Sequence, residues 1–340
     1  MTGHARFRGI ECRDPVEVRP DLNGVTSGFW AVVVTFEGEI TAIRFASVRR
    51  SANAGQAPTG VPWRPLAGTW STSIDEATYV AGVRRIRDDV AAGRVYQVNL
   101  CRILQHGLDE DADLDGLEAL LAAGNPAPYP ARIHVPDSGL DVVSASPEAY
   151  LTRVGGRLVS RPIKGTAPTA AAMLPKDVAE NVMIADLVRN DLQRVCRPGS
   201  VDVEALCAPE PHPGLVHLVT DVAGVVAEDV SWPEILAATF PPGSVSGAPK
   251  STALEVIAEL EPTPRGPYCG AIGWIDGDTG TAELAVGIRT FWSVMEDGQR
   301  RLRFGAGAGI TWGSDPDAEW RETELKADRL VGIASGRVSV

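Results

Sequence analysis

The chain of 340 residues is 44% hydrophobic and only 22% charged, which is enough apolar matter for a large core and too little charge for wholesale disorder. Its net charge of −12, with a pI near 5.0, argues against an extended phosphate-binding surface and so against nucleic acid as a partner. Cys12, Cys101, Cys196, Cys207 and Cys269 form an odd set with no CxxC or zinc spacing, the first 14 residues are polar and of mixed charge, and no apolar run approaches a membrane span; the sequence reads as cytoplasmic, with free thiols and no membrane segment.

In chain order, residues 29–36 and 39–45 read as two strands joined at Glu37-Gly38. The Gly-, Pro- and Ala-rich stretch 51–68 reads as a linker or long loop and marks a soft boundary, with short N-terminal strands and a loop, residues 1–70, packed on a main unit over 71–336. Ser73 or Asp75 caps a helix to about residue 92, with Tyr79, Val83, Ile86 and Val90 on one stripe. Residues 95–100 follow as a strand and 114–123 as a short helix. Strands are predicted at 131–135, 141–144, 149–154 and 157–160, the last two joined by Gly155-Gly156, a hairpin signal. A helix spans 176–195, strands cover 201–206 and 216–226, and a helix starts at Ser231 with Pro233 in its first turn. A Pro/Gly/Ser loop, 241–249, leads into a helix to residue 260. Strands at 268–275, 281–291 and 300–310 precede a last helix, for which Asp315 supplies the cap and Pro316 the first position. Strands and helices do not alternate strictly, so the pattern predicts an α+β fold with a large antiparallel or mixed sheet and no internal repeat.

Several stretches carry possible chemistry. On the last helix Glu319 and Glu322 are three apart and Lys326 is four beyond, all on one face behind a glycine-rich run, 304–310. Asp177 and Glu180 are three apart on the helix 176–195. Two such pairs suit either a hard cation such as Mg²⁺, which takes oxygen ligands, or two solvated helix faces. His217 lies in an apolar strand, where a core role and a catalytic role both remain open. Lys164, between Ile163 and Gly165 at a strand end, becomes a neutral nucleophile if it is desolvated. Glu148, after Ser146-Pro147, becomes a general acid if an apolar pocket holds it protonated. The run 243–251 fails the phosphate-loop pattern, because Pro249 precedes Lys250 where glycine is needed; it retains the option of binding an anion at the following helix start. No GxCxG or GxSxG elbow occurs.

The ordered set Tyr96-Gln97-Val98-Asn99-Leu100, Ser146-Pro147-Glu148, Pro162-Ile163-Lys164-Gly165-Thr166, Glu180-Asn181-Val182-Met183-Ile184, Arg189-Asn190-Asp191, His217-Leu218-Val219, the loop 241–250, Tyr268-Cys269-Gly270, Gly287-Ile288-Arg289-Thr290, the glycines 305–309 and the stretch 319–326 resembles the chorismate-utilising enzymes over about residues 75–332. Within that family the resemblance is greatest to the aminodeoxychorismate synthase component I group. Members that aminate at C4 carry a lysine in the position of Lys164, where anthranilate synthases usually carry alanine. Isochorismate and salicylate synthases use a lysine to activate water where this chain has Gln97, a neutral amide that cannot be that base.

The resemblance implies a single large α/β/β/α sandwich domain of the anthranilate synthase component I type. It implies chorismate as substrate and Mg²⁺ as cofactor, held by Glu180 and Glu322 with Asp177 and Glu319 acting directly or through water. Lys164 would be the nucleophile and Glu148 the acid, with His217 against the ring; Arg289, Tyr268, Gly307 and Lys326, with Thr166 and Ser246, would bind the substrate. The implied reaction joins chorismate and ammonia, delivered by a separate glutaminase subunit, to give 4-amino-4-deoxychorismate for p-aminobenzoate, folate or a related metabolite. The alternatives are an anthranilate or 2-amino-2-deoxyisochorismate synthase, aminating at C2, and a non-catalytic chorismate-binding regulatory protein. Two departures matter: the Leu-Leu-Glu-Ser stretch linked with tryptophan sensing is absent, which implies no tryptophan inhibition, and Asp177 stands where relatives often have glutamate.

Overall fold

The structure, a computed structural model, describes residues 1–212 and 215–337. Among them eighteen strands join one hydrogen-bonded sheet, and the pairings between them are antiparallel. The sheet folds back on itself, and helices cover its two outer faces in the expected sandwich. These helices are α1 (Glu76–Ala91), α2 (Leu114–Gly124), α3 (Pro175–Gln193), α4 (Trp232–Thr239), α5 (Lys250–Leu260) and α6 (Pro316–Ala334). Local chemistry sets their starts. Asp75 accepts from the Thr78 amide at 2.8 Å and Asp315 from the Ala318 amide at 2.8 Å, satisfying donors that a helix start leaves free. Ser73, the other candidate cap, instead accepts from the Ile103 amide.

Strand Phe29–Val34 is apolar at every position because it runs in mid-sheet, between Ile40–Arg50 and Ala271–Asp276. On one side of the fold α3 lies across strands Ile163–Ala167 and Leu215–Val225, with α4 against it. On the other, Gln97–Gly107 and Gln299–Ile310 pair along their length, from Arg301 opposite Gly107 to Ile310 opposite Val98. There α6 packs on Gln299–Ile310 with α1 alongside, and the core below gathers Tyr79, Val83, Ile86, Leu100, Ala308 and Trp320. Burying these side chains at ~25 cal/mol per Å² outweighs any single polar contact in seating α6.

The N-terminal residues are part of the same sheet. Strand His4–Phe7 pairs with Tyr129–Val135 and with Ile10–Arg19, and Ile10–Arg19 pairs with Ile40–Arg50. The span 281–291, predicted as one strand, is two: Thr281–Val286 and Thr290–Glu296. A Cβ on Gly287 would come within 2.0 Å of the Pro267 carbonyl, and Arg289 has a φ of 53°. The first explains why residue 287 is glycine, and the second does not fit a regular strand. Strand 268–275 likewise starts only at Ala271, with Tyr268 to Gly270 in a turn where Cys269 has a φ of 62°. No helix among the described residues is long and apolar enough to cross a membrane.

Candidate active site

Strand Ile163–Ala167 and the bend at Glu148 bring two groups of opposite chemistry together. Lys164 is half-buried and its Nζ donates to the Ser244 carbonyl at 2.8 Å. Withdrawal from water lowers its pKa; the carboxylates of Glu180, Glu148 and Glu322 oppose that, and Lys326 adds to it. Glu148 is 4% exposed and sits between strands Leu140–Ser146 and Ala149–Val154. Burial pushes its carboxyl up to about 7, against the pull of the Ser244 hydroxyl, which donates at 2.6 Å, the Lys164 charge and the Ile163 amide. A carboxyl that titrates near neutrality beside an amine eased toward its neutral form can give a proton while the amine attacks.

Next to Lys164, Gly165 has a φ of 81°, and a Cβ there would meet Asp177 of α3 at 2.8 Å. Glycine is needed for both reasons. Thr166 bonds His217 across the strands, Oγ1 to Nδ1 at 2.8 Å, and the two face each other in register. Asn181 of α3 donates to the Leu218 carbonyl at 2.9 Å and so pins the helix to that strand.

The four predicted metal carboxylates come from two helices, Asp177 and Glu180 from α3, Glu319 and Glu322 from α6, and Glu180 and Glu322 lie within electrostatic reach of each other. Burial raises the Glu180 carboxyl, with Asp177 and Glu322 adding repulsion against the pull of Lys164 and Lys176. Burial likewise raises Glu319, helped by Glu322. Burial would raise Glu322 too, but the Lys326 ammonium, 2.7 Å from its Oε1, outweighs this and holds it below the usual range. Asp177 turns its Oδ2 back to the Leu174 amide at 2.8 Å and caps α3. Among the described residues no three His, Cys, Asp or Glu side chains lie close enough to form a ready-made metal cage. The donor set still fits a hard cation: Glu180 and Glu322 repel one another across the two helices, and Mg²⁺ needs only one or two carboxylates when water and substrate oxygens fill its other positions.

Lys326 also donates to the Gly307 carbonyl at 2.9 Å. The alternate glycines of the strand are spaces already used by neighbours: a Cβ on Gly305 would meet the Tyr268 ring at 2.1 Å, on Gly307 the Cys101 sulfur at 2.5 Å, and on Gly309 the Gln97 amide nitrogen at 2.2 Å. The Tyr268 hydroxyl lies inside, 3.8 Å from Cys101 Sγ. Arg289 differs from the other arginines near it. Its guanidinium has no hydrogen bond or carboxylate partner among the described residues, and burial lowers its pKa. A desolvated cation without a counter-charge is a place for an anion. Ser246 is fully buried and donates to the Pro242 carbonyl at 3.0 Å, so it holds its own loop. Ser244, two residues earlier, reaches Glu148 and was not singled out by the sequence; nothing in the run 243–246 distinguishes the two serines. Thus an acid, an amine and carboxylates from two helices lie within electrostatic reach of one another in a molecule whose net charge is −12, with Lys164, Lys176 and Lys326 supplying local positive charge; the Arg289 guanidinium makes no hydrogen bond or ion pair with them.

A family model described as chorismate binding enzyme matches residues 31–332. The chain is 34% identical over 318 residues to aminodeoxychorismate synthase component 1 of Salmonella typhimurium, covering 89% of this chain and 68% of that one. It is 38% identical over 309 residues to anthranilate synthase component 1 of Streptomyces coelicolor, covering 85% of this chain and 59% of that one. Among solved structures, anthranilate synthase component I from Streptococcus pneumoniae superposes with a TM-score of 0.79 at 22% identity, over 96% of this chain and 92% of that one. The menaquinone-specific isochorismate synthase from Escherichia coli also gives 0.79, at 18% identity, over 98% and 88%. The likeness to these two structures is one of fold.

Proposed function

The chain belongs to the family of chorismate-binding enzymes, and within it we propose that it is the synthase component that converts chorismate and ammonia to 4-amino-4-deoxychorismate. The observation that carries this reading is Lys164, an amine relieved of part of its basicity and held beside a carboxyl that titrates at about 7. Direct attack of ammonia at C2 needs no such amine. Replacement of the C4 hydroxyl with retained geometry needs two displacements, and a lysine supplies the first nucleophile.

In this mechanism the neutral Lys164 amine attacks C2. The two ring double bonds shift, the C4–O bond breaks, and Glu148 gives its proton so that the hydroxyl leaves as water. Ammonia then attacks C4, the double bonds shift back, the C2–N bond to Lys164 breaks, and Glu148 recovers a proton from the new ammonium group. Arg289 would pair with a substrate carboxylate, and Thr166 would orient His217 at the wall of the site. Glu180 and Glu322, with Glu319 nearby, would hold Mg²⁺. When bound, that ion supplies positive charge for the ring carboxylate and for the neutral state of Lys164. Ammonia would come from a separate glutaminase subunit, a reading supported by relatives that are each named a component 1.

A second reading, amination at C2, is favoured by the anthranilate synthase relative, whose identity to the chain, 38%, exceeds the 34% of the aminodeoxychorismate synthase relative. The two aminated intermediates are isomers of one mass, so nuclear magnetic resonance of the product ring decides. With chorismate, ammonium and Mg²⁺, we expect the amino group at C4. In Lys164→Ala we expect at least a hundredfold less of that isomer, on the order of what loss of a covalent nucleophile costs, with some C2 isomer in its place. C4 product from Lys164→Ala at a rate near that of the unaltered chain would refute the covalent role.

A further inference from the structure

One residue touches both halves of the acid–amine pair. Ser244 Oγ donates to Glu148 Oε1 at 2.6 Å, and the carbonyl of the same residue accepts from Lys164 Nζ at 2.8 Å. It sits in the short turn Gly243–Val245, inside a loop held at several points. Gly243 lets the turn press on α3, since a Cβ there would meet Leu187 at 2.6 Å. The Val245 carbonyl accepts from Arg265 at 2.9 Å, and the Ser246 carbonyl from the Asn99 amide at 2.8 Å. The loop is closed at its base by Lys250, whose Nζ donates to Asp191 Oδ2 at 2.6 Å and to the Thr239 carbonyl at 2.8 Å. Thr239 in turn bonds the Tyr150 hydroxyl at 2.6 Å, beside the Glu148 bend. The Arg189-Asn190-Asp191 and Pro249-Lys250 motifs therefore meet behind the site, in contacts that no step of the reaction uses.

We propose that Ser244 is a positioning residue that ties Glu148 and Lys164 into one unit, its hydroxyl holding the carboxyl and its carbonyl the amine, while the Lys250–Asp191 pair clamps the loop that carries it. The inference rests on the functional reading above for its catalytic meaning, though not for its geometry. The chemistry is asymmetric. The hydroxyl donates best to an ionised carboxylate, so it restrains how tightly Glu148 keeps its proton. The carbonyl takes one N–H of the amine and leaves the lone pair free to face the ring. The charged groups around Glu148 are Lys164 on the adjoining strand and, across a small cavity, Asp191 of α3, already paired with Lys250. Ser244→Ala removes the hydroxyl and leaves the carbonyl, so it separates the two grips.

Two readouts test this. The ionisation of Glu148 is followed by infrared difference spectroscopy against pH in the full chain, with Glu148→Gln assigning the band; this needs no turnover. We expect Ser244→Ala to stay protonated to a pH higher by about 0.5 to 1, the size of one lost neutral donor. Ser244→Thr, which keeps the hydroxyl, should restore the titration. In parallel, the alkaline limb of kcat/KM for chorismate amination should move upward by the same amount, with kcat reduced about tenfold and KM little changed. An identical Glu148 titration in the unaltered chain and Ser244→Ala, both folded by melting temperature, overturns the proposal. A shift that Ser244→Thr fails to reverse also overturns it, since the cause is then packing. Should the unaltered chain leave chorismate untouched, the functional reading falls while the titration still decides the coupling.

Discussion

Glu148, the proposed acid, also carries a thermodynamic cost. Its folded value of about 7 lies above the ordinary 4.5, with burial the largest cause, so the folded chain binds this proton more tightly than the unfolded one. The sign follows: the contribution is fully present below about 4.5 and is lost as pH rises through about 7, a difference of about 3 kcal/mol. Glu148→Gln keeps the shape and removes the titration. We expect it to abolish amination, yet to be more stable than the unaltered chain at pH 8 and to lose that advantage at pH 5. Urea denaturation at the two pH values checks this; equal stability differences at both would mean that Glu148 is not held protonated by the fold. At this scale the motifs pointed to Lys164 and Glu148, and the fold brings both onto one residue, Ser244. The sequence was mute on Ser244, because the contact depends on a turn that brings residue 244 over residues 148 and 164, and three distant segments leave no local pattern.

The two glutamate-bearing helices were legible as elements, down to the Asp315 cap and Pro316, because capping and i, i+3 spacing are local. That Glu180 of α3 and Glu322 of α6 feel each other's charge is a long-range fact, set by the strands on which the two helices pack. The break after Val286 was hidden for the same reason: alternation continues through Ile288, and it is the turn of the Ile288 amide back to the Val286 carbonyl and the φ of 53° at Arg289 that end the regular strand. The break matters, since it puts Arg289 where its guanidinium is left unpaired. The nearness of these two carboxylates, Glu180 and Glu322, gives a prediction about the metal. Glu180 is held above its usual range by burial, with the charges of Asp177 and Glu322 adding to it, so a cation that binds there should stabilise the fold by mass action. We expect millimolar Mg²⁺ to raise the melting temperature of the unaltered chain by a few degrees and that of Glu180→Gln by much less. Amination by Glu180→Gln should be at least tenfold weaker and only partly restored by more Mg²⁺. An equal Mg²⁺ shift in both proteins would remove Glu180 from the site.

The whole molecule is one ladder, and this shows most clearly where sequence reading saw least. Residues 4–19 gave no strand signal: Pro15 interrupts the run, and Glu11, Arg13, Glu17 and Arg19 crowd it with charge. In the fold those charges pair on the exposed face, Arg13 with Glu11 at 2.8 Å and Arg19 with Glu17 at 2.6 Å, and the sheet changes register between Pro15 and Glu17 to pass the proline. The inward face is apolar, with Ala5, Phe7, Ile10 and Cys12 all buried. Arg6 reaches α2, 2.6 Å from Glu118 and 2.8 Å from Asp115, and Asp115 also holds the fully buried Arg132 at 2.8 Å. Removing the first 19 residues would therefore uncover two strand edges, Ile40–Arg50 and Tyr129–Val135, and would leave Glu118 without its arginine. Stranded buried charge costs several kcal/mol, and an open apolar edge invites pairing between chains. No proposed site residue lies in that segment, so the site residues alone would forecast full activity for the truncated chain. We expect the opposite: the chain from residue 20 onward should be aggregated or cut rapidly by protease, and should not aminate chorismate even with Mg²⁺ and ammonium in excess. A soluble truncated chain with the melting temperature and turnover of the full one would show that the site needs only the strands after residue 20.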